Sequence, residues 1–186
     1  MGRLIYLMNV SADGYVEDAN GSIDWGNVDE ELHSWFNDRT REMQASIYGR
    51  RMYEVMSGHW PTAEADPAST DVEREFARIW VGLPKIVFST TLKTVEGNSR
   101  LVSGDVAEEL TKLRSEFDGD IDVSGPTIAS AFIERGLVDE YGLVVHPVIV
   151  GGGKPFFPKL DRPITLRPGD TRTFSSGVRY LSFTAS

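Results

Sequence analysis

The sequence predicts an α/β fold, a three-layer α/β/α sandwich with a mostly parallel central sheet and an antiparallel hairpin at its C-terminal edge. Apolar runs typical of strands alternate with helical patterns along most of the chain, and two strand-like runs then follow each other, at residues 163–174 and 178–184. Alternating strands and helices favour a parallel sheet covered by helices, whereas consecutive strands add an antiparallel edge. The segment Ser175–Gly177 between the last two runs is typical of a hairpin loop.

The composition limits the protein to a few classes. A chain of 186 residues, 40% hydrophobic and 25% charged, is expected to form one globular domain over residues 1–186. Its net charge of −9 argues against a nucleic-acid partner, which needs a basic surface. No apolar run is long enough for a membrane span, and the absence of cysteine excludes disulfides and fits a cytoplasmic protein.

The N-terminal region predicts a buried strand followed by a functional loop. Residues 3–10 form a nearly continuous apolar run, as in strands buried on both faces. Residues 11–26 are polar and rich in glycine, and loops of this length in compact domains are often functional. Asp13, just after the strand, is the loop acid that sheet geometry would bring to a ligand. Trp25, at the end of the loop, could cover a planar ring or fill the core.

Short polar patterns mark the starts of three helices. Asn27 with Glu30 and Thr70 with Glu73 have the spacing of a capping box, and each pair precedes apolar residues at helical intervals. Asp105 precedes a third such pattern and is expected to cap it.

The chain passes sharply from strand to helix at Gly125. Ile121 and Val123 alternate as in a strand, and Pro126 suits the first position of the helix that follows. A turn of this kind leaves backbone N–H groups bare at a helix start, where phosphates bind. A plain connection between strand and helix remains the alternative.

Four predicted strands end in small, hydroxyl or basic residues. In open α/β sheets, ligands bind beyond the carboxyl ends of the strands. Two of these strand ends are also the first residues of helices. Arginines in the first turn of a helix are unfavourable beside the positive end of its dipole unless an anion is bound there. A pair of solvated arginines is an equally good interpretation of the sequence. Together the ends predict an extended, multiply phosphorylated ligand. They are Val10-Ser11, Gly49-Arg50-Arg51, Ser89-Thr90-Thr91 and Ser124-Gly125-Pro126-Thr127.

The glycine triplet at 151–153 does not fit a dinucleotide fingerprint. That motif needs a helix directly after the glycines, and Pro155 and Pro158 forbid one. We therefore expect the triplet to allow close backbone approach or to form a bulge. The sequence contains neither a phosphate loop nor a nucleophile elbow.

The three histidines do not predict a metal site. His33, His59 and His146 are far apart in sequence and lack the spacing of metal ligands. His146 lies among apolar residues, so we interpret it as a hydrogen-bonded core residue.

Several stretches in this order resemble the dihydrofolate reductase-like superfamily. The closer resemblance is to its branch containing the reductase domain of bacterial riboflavin biosynthesis, the RibD C-terminal domain. The matching stretches are SADGYVEDANGSIDW, IYGRRMYEVM, IVFSTTL and DVSGPTIASAFIERGLVDEYGLVVHPVIVGGGKPFFP. The H-x-E and P-C-x-x-C pattern of the zinc deaminase fused to that domain is absent here, so a stand-alone reductase domain is expected.

The resemblance implies NADPH as hydride donor and assigns residues to it. The adenosine 2′-phosphate would be bound by Ser89 and Thr90, and the nicotinamide pocket would be lined by Val10 and Ser11. The pyrophosphate would be bound by Gly49, Arg50, Arg51, Gly125, Pro126, Thr127 and Ile128. It further implies that Asp13, in its Asp-Gly pair, has a substrate-side or proton-relay role. Ordered water is an equal candidate for the proton donor. Asp24 and Trp25 are assigned to the substrate.

The same resemblance favours a riboflavin-type substrate over a folate. Dihydrofolate reductases carry an acid one helical turn before an aromatic residue, whereas Leu32 stands one turn before Phe36 here. Glu31 points elsewhere on the helix. We therefore expect an NADPH-dependent reductase of a small heterocycle, similar to 5-amino-6-(5-phosphoribosylamino)uracil reductase, acting as a cytoplasmic homodimer. Dihydrofolate reduction, NADPH binding without turnover and a purely structural domain remain alternatives.

Overall fold

The computed structural model describes residues 2–185. The strands are β1 (Leu4–Ser11), β2 (Tyr15–Glu17), β3 (Ala45–Gly49), β4 (Lys85–Phe88), β5 (Ser99–Val102), β6 (Ile121–Ser124), β7 (Glu140–His146), β8 (Lys154–Pro155), β9 (Leu166–Thr173) and β10 (Arg179–Ala185). The helices are α1 (Glu30–Arg41), α2 (Arg50–Ala63), α3 (Asp71–Gly82), α4 (Val106–Glu116) and α5 (Pro126–Ile133). The chain divides into two compact units.

The first unit comprises Gly2 and residues 30–122. Its strands β5, β4 and β3 are hydrogen-bonded neighbours in that order, and both pairs run parallel. Helices α1 and α2 each pack against α3. Lys85, the first residue of β4, is buried. Its ammonium group donates to the carbonyl oxygens of Trp80 at 2.6 Å and Leu83 at 2.8 Å, at the C-terminal end of α3. Burial lowers the pKa of Lys85 to about 8.

The second unit comprises residues 3–29 and 123–185. Its strands follow the order β1-β7-β10-β9, in which β1 and β7 are parallel and β10 is antiparallel to both β7 and β9. The unit also contains the last two residues of β6, Val123 and Ser124. A separate two-stranded sheet joins β2 to β8. In the core, the rings of Tyr6 and Phe156 stack with centroids 4.2 Å apart, and the Tyr6 hydroxyl donates to the Phe156 carbonyl oxygen.

The predicted fold class is confirmed. The sheet is mostly parallel, helices alternate with its strands, and the C-terminal hairpin of β9 and β10 is antiparallel. The Thr70–Glu73 capping box and the Asp105 cap are both present. The glycine triplet behaves as expected at Gly153, where a Cβ atom would lie 2.0 Å from the Glu17 carbonyl oxygen.

Two details differ from the sequence-based expectation. Helix α1 begins at Glu30, so Asn27 is not its N-cap; the Asn27 amide instead donates to the imidazole of His146. The short strands β2, β5 and β8 were not predicted. The single-domain organisation stays a prediction. No helix in residues 2–185 has the length and apolar character that a membrane span requires.

Candidate functional site

Helix α2 begins at a glycine that offers it no side-chain cap. Gly49 is both the last residue of β3 and the N-cap of α2, and no acidic residue stands in the first turn. The first N–H groups of a helix lack intrahelical acceptors and carry a partial positive charge. Arg50 and Arg51 follow with exposed side chains, and the Arg50 guanidinium lies 3.9 Å from the exposed Glu54 carboxylate. This start therefore gathers positive charge around N–H groups to which Gly49 offers no side-chain cap.

The Ser89 turn lies at the same end of the sheet as Gly49. Gly49 is the register partner of Phe88 in the parallel β3–β4 pair, and Ser89 is the next residue. The Ser89 Oγ accepts hydrogen bonds from the amides of Thr91 at 3.1 Å and Leu92 at 3.0 Å. These bonds fix the hydroxyl at the turn, and Thr90 is exposed beside it. The first unit thus brings Gly49, Arg50 and Arg51 to the edge that carries Ser89 and Thr90.

Helix α5 also begins at a glycine. Gly125 has φ 106° and ψ 131°, Pro126 occupies the first helical turn, and that turn contains no acid. A positive φ of this size favours glycine because a Cβ atom would be strained there. Gly125 and Pro126 are buried, Ile128 is half-buried and Thr127 is exposed. The predicted strand–glycine–helix turn is therefore present, with uncapped N–H groups at its start.

Helices α3 and α4 begin differently. The Thr70 Oγ1 accepts from the Glu73 amide at 3.4 Å, and the Glu73 carboxylate accepts from the Thr70 amide at 2.7 Å. At α4, Asp105 Oδ1 accepts from the amides of Ala107 at 2.9 Å and Glu108 at 3.3 Å. Both helices also carry acids in the first turn. Their N–H groups are satisfied by the chain itself.

Asp13, which lies just after β1, forms hydrogen bonds to the start of the glycine triplet at 151–153. Val10 and Ser11 are buried, and the Ser11 Oγ accepts from the Tyr15 amide at 2.9 Å. Asp13 Oδ1 accepts from the Val150 amide at 3.1 Å, and its Oδ2 accepts from the Gly151 amide at 2.8 Å. The hydrogen bond from the Ser11 side chain, followed by these two amide bonds, lowers the pKa of Asp13. Asp13 is accordingly an exposed, ionised carboxylate at neutral pH.

The rings of Trp25 and His146 pack in a T-shaped arrangement. The ring centroids are 5.7 Å apart with an interplanar angle of 83°, and Trp25 Nε1 donates to the Ser22 carbonyl oxygen at 3.1 Å. Trp25 is half-buried, so part of its indole remains accessible. Asp24 is exposed, and its amide donates to the Ser22 Oγ at 3.0 Å.

The sequence does not indicate which residues His146 contacts in this region. Its expected burial and hydrogen bonding are confirmed, since its imidazole is 1% exposed and both ring nitrogens have partners. It is also the parallel register partner of Ser11, which places it beside the end of β1. Burial lowers the pKa of His146. The only sequence signal is a histidine within an apolar run, and this pattern does not predict its hydrogen-bond partners, Asn27 and Asn9.

A family model decides the classification. The model for the RibD C-terminal domain matches residues 3–180. The chain belongs to the RibD C-terminal domain family. It is also 34% identical over 177 residues to YyaP of Bacillus subtilis (strain 168), an uncharacterized protein, covering 95% of this chain and 91% of YyaP.

Solved structures show the same fold at low sequence identity. A candidate riboflavin biosynthesis protein from Shewanella sp. PV-4 is 19% identical with a TM-score of 0.77, covering 100% of this chain and 99% of that one. The diaminohydroxyphosphoribosylaminopyrimidine deaminase/5-amino-6-(5-phosphoribosylamino)uracil reductase of Thermotoga maritima is 14% identical with a TM-score of 0.68. The alignment covers 100% of this chain but 57% of that protein.

Proposed function

We propose that the protein is an NADPH-dependent reductase of a small heterocyclic substrate, with 5-amino-6-(5-phosphoribosylamino)uracil as the first candidate. The observation that carries the proposal is the pair of glycine-started, uncapped helices, α2 and α5. Membership of the RibD C-terminal domain family supports it, because the name of the Thermotoga relative includes a reductase activity on that pyrimidine.

The described residues fit an anionic dinucleotide. In the first unit, Gly49, Arg50 and Arg51 are assigned to the pyrophosphate, and Ser89 and Thr90 to the 2′-phosphate. The α2 start has no side-chain cap and carries two exposed arginines, which suits phosphate oxygens. The Ser89 Oγ accepts from two amides, so its O–H is left to donate, either to Thr91 Oγ1 at 3.3 Å or to a phosphate oxygen.

In the second unit, the cofactor contacts are assigned to the ends of β1 and β6. Gly125 lets a phosphate approach the backbone, and the amides of Thr127 and Ile128 point from the start of α5. Val10 and Ser11 are assigned to the nicotinamide pocket. The bound cofactor supplies the hydride, and the protein orients the reacting groups and delivers a proton.

Asp13, Asp24 and Trp25 are assigned to the substrate side. The lowered pKa of Asp13 suits a carboxylate that accepts hydrogen bonds from substrate N–H groups, with ordered water carrying the proton. On α1, Leu32 is buried and the neighbouring Glu31 is exposed. Because α1 has an apolar residue where a pterin would need an acid, dihydrofolate ranks below the pyrimidine.

The decisive experiment follows the absorbance of reduced nicotinamide with purified protein. Oxidation of NADPH that depends on 5-amino-6-(5-phosphoribosylamino)uracil, and is slower with NADH, is the expected result. Oxidation with dihydrofolate alone would reassign the substrate. A thermal shift with NADPH but no turnover with either compound would indicate a binding module. No thermal shift at millimolar NADPH would contradict the proposal.

The proposal includes a cytoplasmic homodimer. The second unit ends its sheet with β9, a strand of 8 residues whose side chains are mostly exposed, and such an edge can support association. Sedimentation analysis of the purified protein is expected to give twice the mass of one chain, and a monomer over the whole concentration range would contradict this part.

A further inference from the structure

The imidazole of His146 joins two segments of the second unit. Its Nδ1 lies 3.3 Å from the amide nitrogen of Asn27, and its Nε2 lies 2.9 Å from Asn9 Oδ1. Asn9 belongs to β1, whereas Asn27 stands at the end of the long loop that follows β2. His146 itself is the last residue of β7. One buried ring therefore ties the loop to the sheet.

The hydrogen bonds define the tautomer of the ring. A backbone N–H can only donate, so the Nδ1 that faces Asn27 must be unprotonated. The proton of the neutral ring then lies on Nε2 and is donated to Asn9 Oδ1. The lowered pKa of the buried ring agrees with a neutral imidazole at pH 7.

Residues 18–27, the Trp25 loop, are otherwise bonded mainly to themselves. The Asp18 Oδ1 accepts from the amides of Asn20 at 2.8 Å and Ser22 at 2.9 Å, and the Asp18 amide donates to the Ser22 carbonyl oxygen at 2.9 Å. Trp25 Nε1 also donates to Ser22. The loop is thus held in shape by its own hydrogen bonds. Its last three residues, 25–27, lie next to the His146 imidazole.

We propose that His146 is a positioning residue: its Nδ1 holds the Trp25 loop so that the accessible part of the Trp25 indole faces a planar heterocyclic substrate. This inference rests on the proposed function for the identity of that substrate. The indole is held by its T-shaped contact with the His146 ring and by the hydrogen bond that its Nε1 donates to the Ser22 carbonyl oxygen. A planar ring stacked on an aligned indole loses less freedom on binding than one stacked on a mobile indole.

Two amide substitutions separate the two nitrogen atoms. His146→Asn keeps an acceptor near the Nδ1 position, and His146→Gln keeps a donor near the Nε2 position. Hydrogen–deuterium exchange of residues 22–29 is measured on both variants without any ligand, with residues 99–102 of β5 as an internal reference. We expect the Gln variant to exchange about tenfold faster than the wild type in the loop and the Asn variant to stay close to it.

The kinetic arm uses the same three proteins with 5-amino-6-(5-phosphoribosylamino)uracil and NADPH. In the Gln variant the KM for the pyrimidine should rise about tenfold, the effect of losing one ordered stacking surface, while the KM for NADPH changes little. The Asn variant should restore the pyrimidine KM. A general loss of folding would raise both KM values and would speed exchange at β5 as well.

The outcomes separate this inference from the proposed function. Equal loop exchange in the wild type and the Gln variant overturns the role of His146, and so does equal acceleration in the Asn and Gln variants. Absence of turnover in the wild type contradicts the proposed function, whereas the exchange result still decides whether His146 holds the loop. Faster loop exchange with an unchanged pyrimidine KM overturns the link to substrate.

Discussion

The starts of α2 and α5 contrast with the starts of α3 and α4. Thr70 with Glu73, and Asp105, satisfy the first amides of α3 and α4 with side-chain oxygens. The other two helices begin at Gly49 and Gly125, without side-chain caps and without acids in the first turn. A glycine at the N-cap costs only about a few tenths of a kcal/mol of stability relative to a Ser, Thr, Asn or Asp cap.

The two kinds of helix start differ in what precedes the helix. Each uncapped helix follows directly on a strand, β3 for α2 and β6 for α5. Each capped helix instead follows a loop, residues 64–70 for α3 and 103–105 for α4. Ligands of open α/β sheets bind at strand ends. The proposal that phosphates bind at the starts of α2 and α5 rests on this difference.

The largest expected effect comes from placing a negative charge at the second helical position. Thr127→Asp in α5 should stabilise the free protein by about 0.3–1 kcal/mol, because an acid near a helix N-terminus is favourable. The same carboxylate should weaken NADPH binding about 100-fold by repelling its phosphates. Calorimetric titration and thermal unfolding measure the two effects, which have opposite signs.

The control for this substitution is Ala107→Asp, at the second position of α4. It should leave NADPH affinity within about twofold of the wild type, since a charge at a helix start that does not contact the cofactor acts on it only through solvent and is screened by salt. If both substitutions weakened binding equally, the contrast between the two kinds of helix start would have no functional meaning.

A smaller effect is expected from a side chain at the Gly125 turn. Gly125→Ala forces a Cβ onto a residue with φ 106°, which should cost about 1–3 kcal/mol of unfolding free energy and reduce NADPH affinity about tenfold. Gly177→Ala is the matched control, because Gly177 has φ 85° in the C-terminal hairpin. It should lose stability without losing affinity. Equal affinity losses in the two variants would show that strain alone is responsible.

The capped helices should show the reverse pattern. Thr70→Ala removes the acceptor for the Glu73 amide and should lower the unfolding free energy by about 1 kcal/mol. NADPH affinity, measured by the same titration, should not change. A loss of affinity in this variant would mean that α3 contributes to the cofactor contacts and would break the comparison.

The smallest effect is the pH dependence of stability that Glu73 gives to the start of α3. Hydrogen bonds from the Thr70 amide, and next from its side chain, lower the pKa of Glu73 below 4.5. This contribution to stability is complete above the unfolded pKa and is lost as the pH falls through the lowered folded pKa. Glu73→Gln should therefore flatten the acid limb of the stability curve, recorded by denaturant unfolding from pH 6 downward to about pH 3. An unchanged acid limb would contradict the capping role of Glu73.

Local chemistry explains why much of the fold could be predicted from sequence. Thr70, Asp105 and Gly125 act on residues within one turn, so their spacing carries the information. The strand β2 and its partner β8 are too short for a periodic signal, and they exist because distant segments pair. Asn27 was misassigned as a cap because its amide has a tertiary partner, His146, 119 residues away.

The candidate site divides in the same way. Gly49, Ser89 and Gly125 could be proposed from strand ends alone, because parallel strands bring their carboxyl ends to one edge, as the Gly49–Phe88 register shows within the first unit. The role of His146 could not be proposed, since it depends on Asn9 and Trp25, which only the folded second unit brings to its ring. Contact of one ligand with both units stays a prediction.

The most direct test of the account is an amide-resolved NMR titration of the protein with NADPH. The account predicts that the amides of Arg50, Arg51, Thr127 and Ile128 shift strongly and saturate together, while those of Val72, Glu73, Ala107 and Glu108 remain still. Saturation at all eight positions, or no response at millimolar NADPH, would contradict the claim that the uncapped helix starts receive the cofactor.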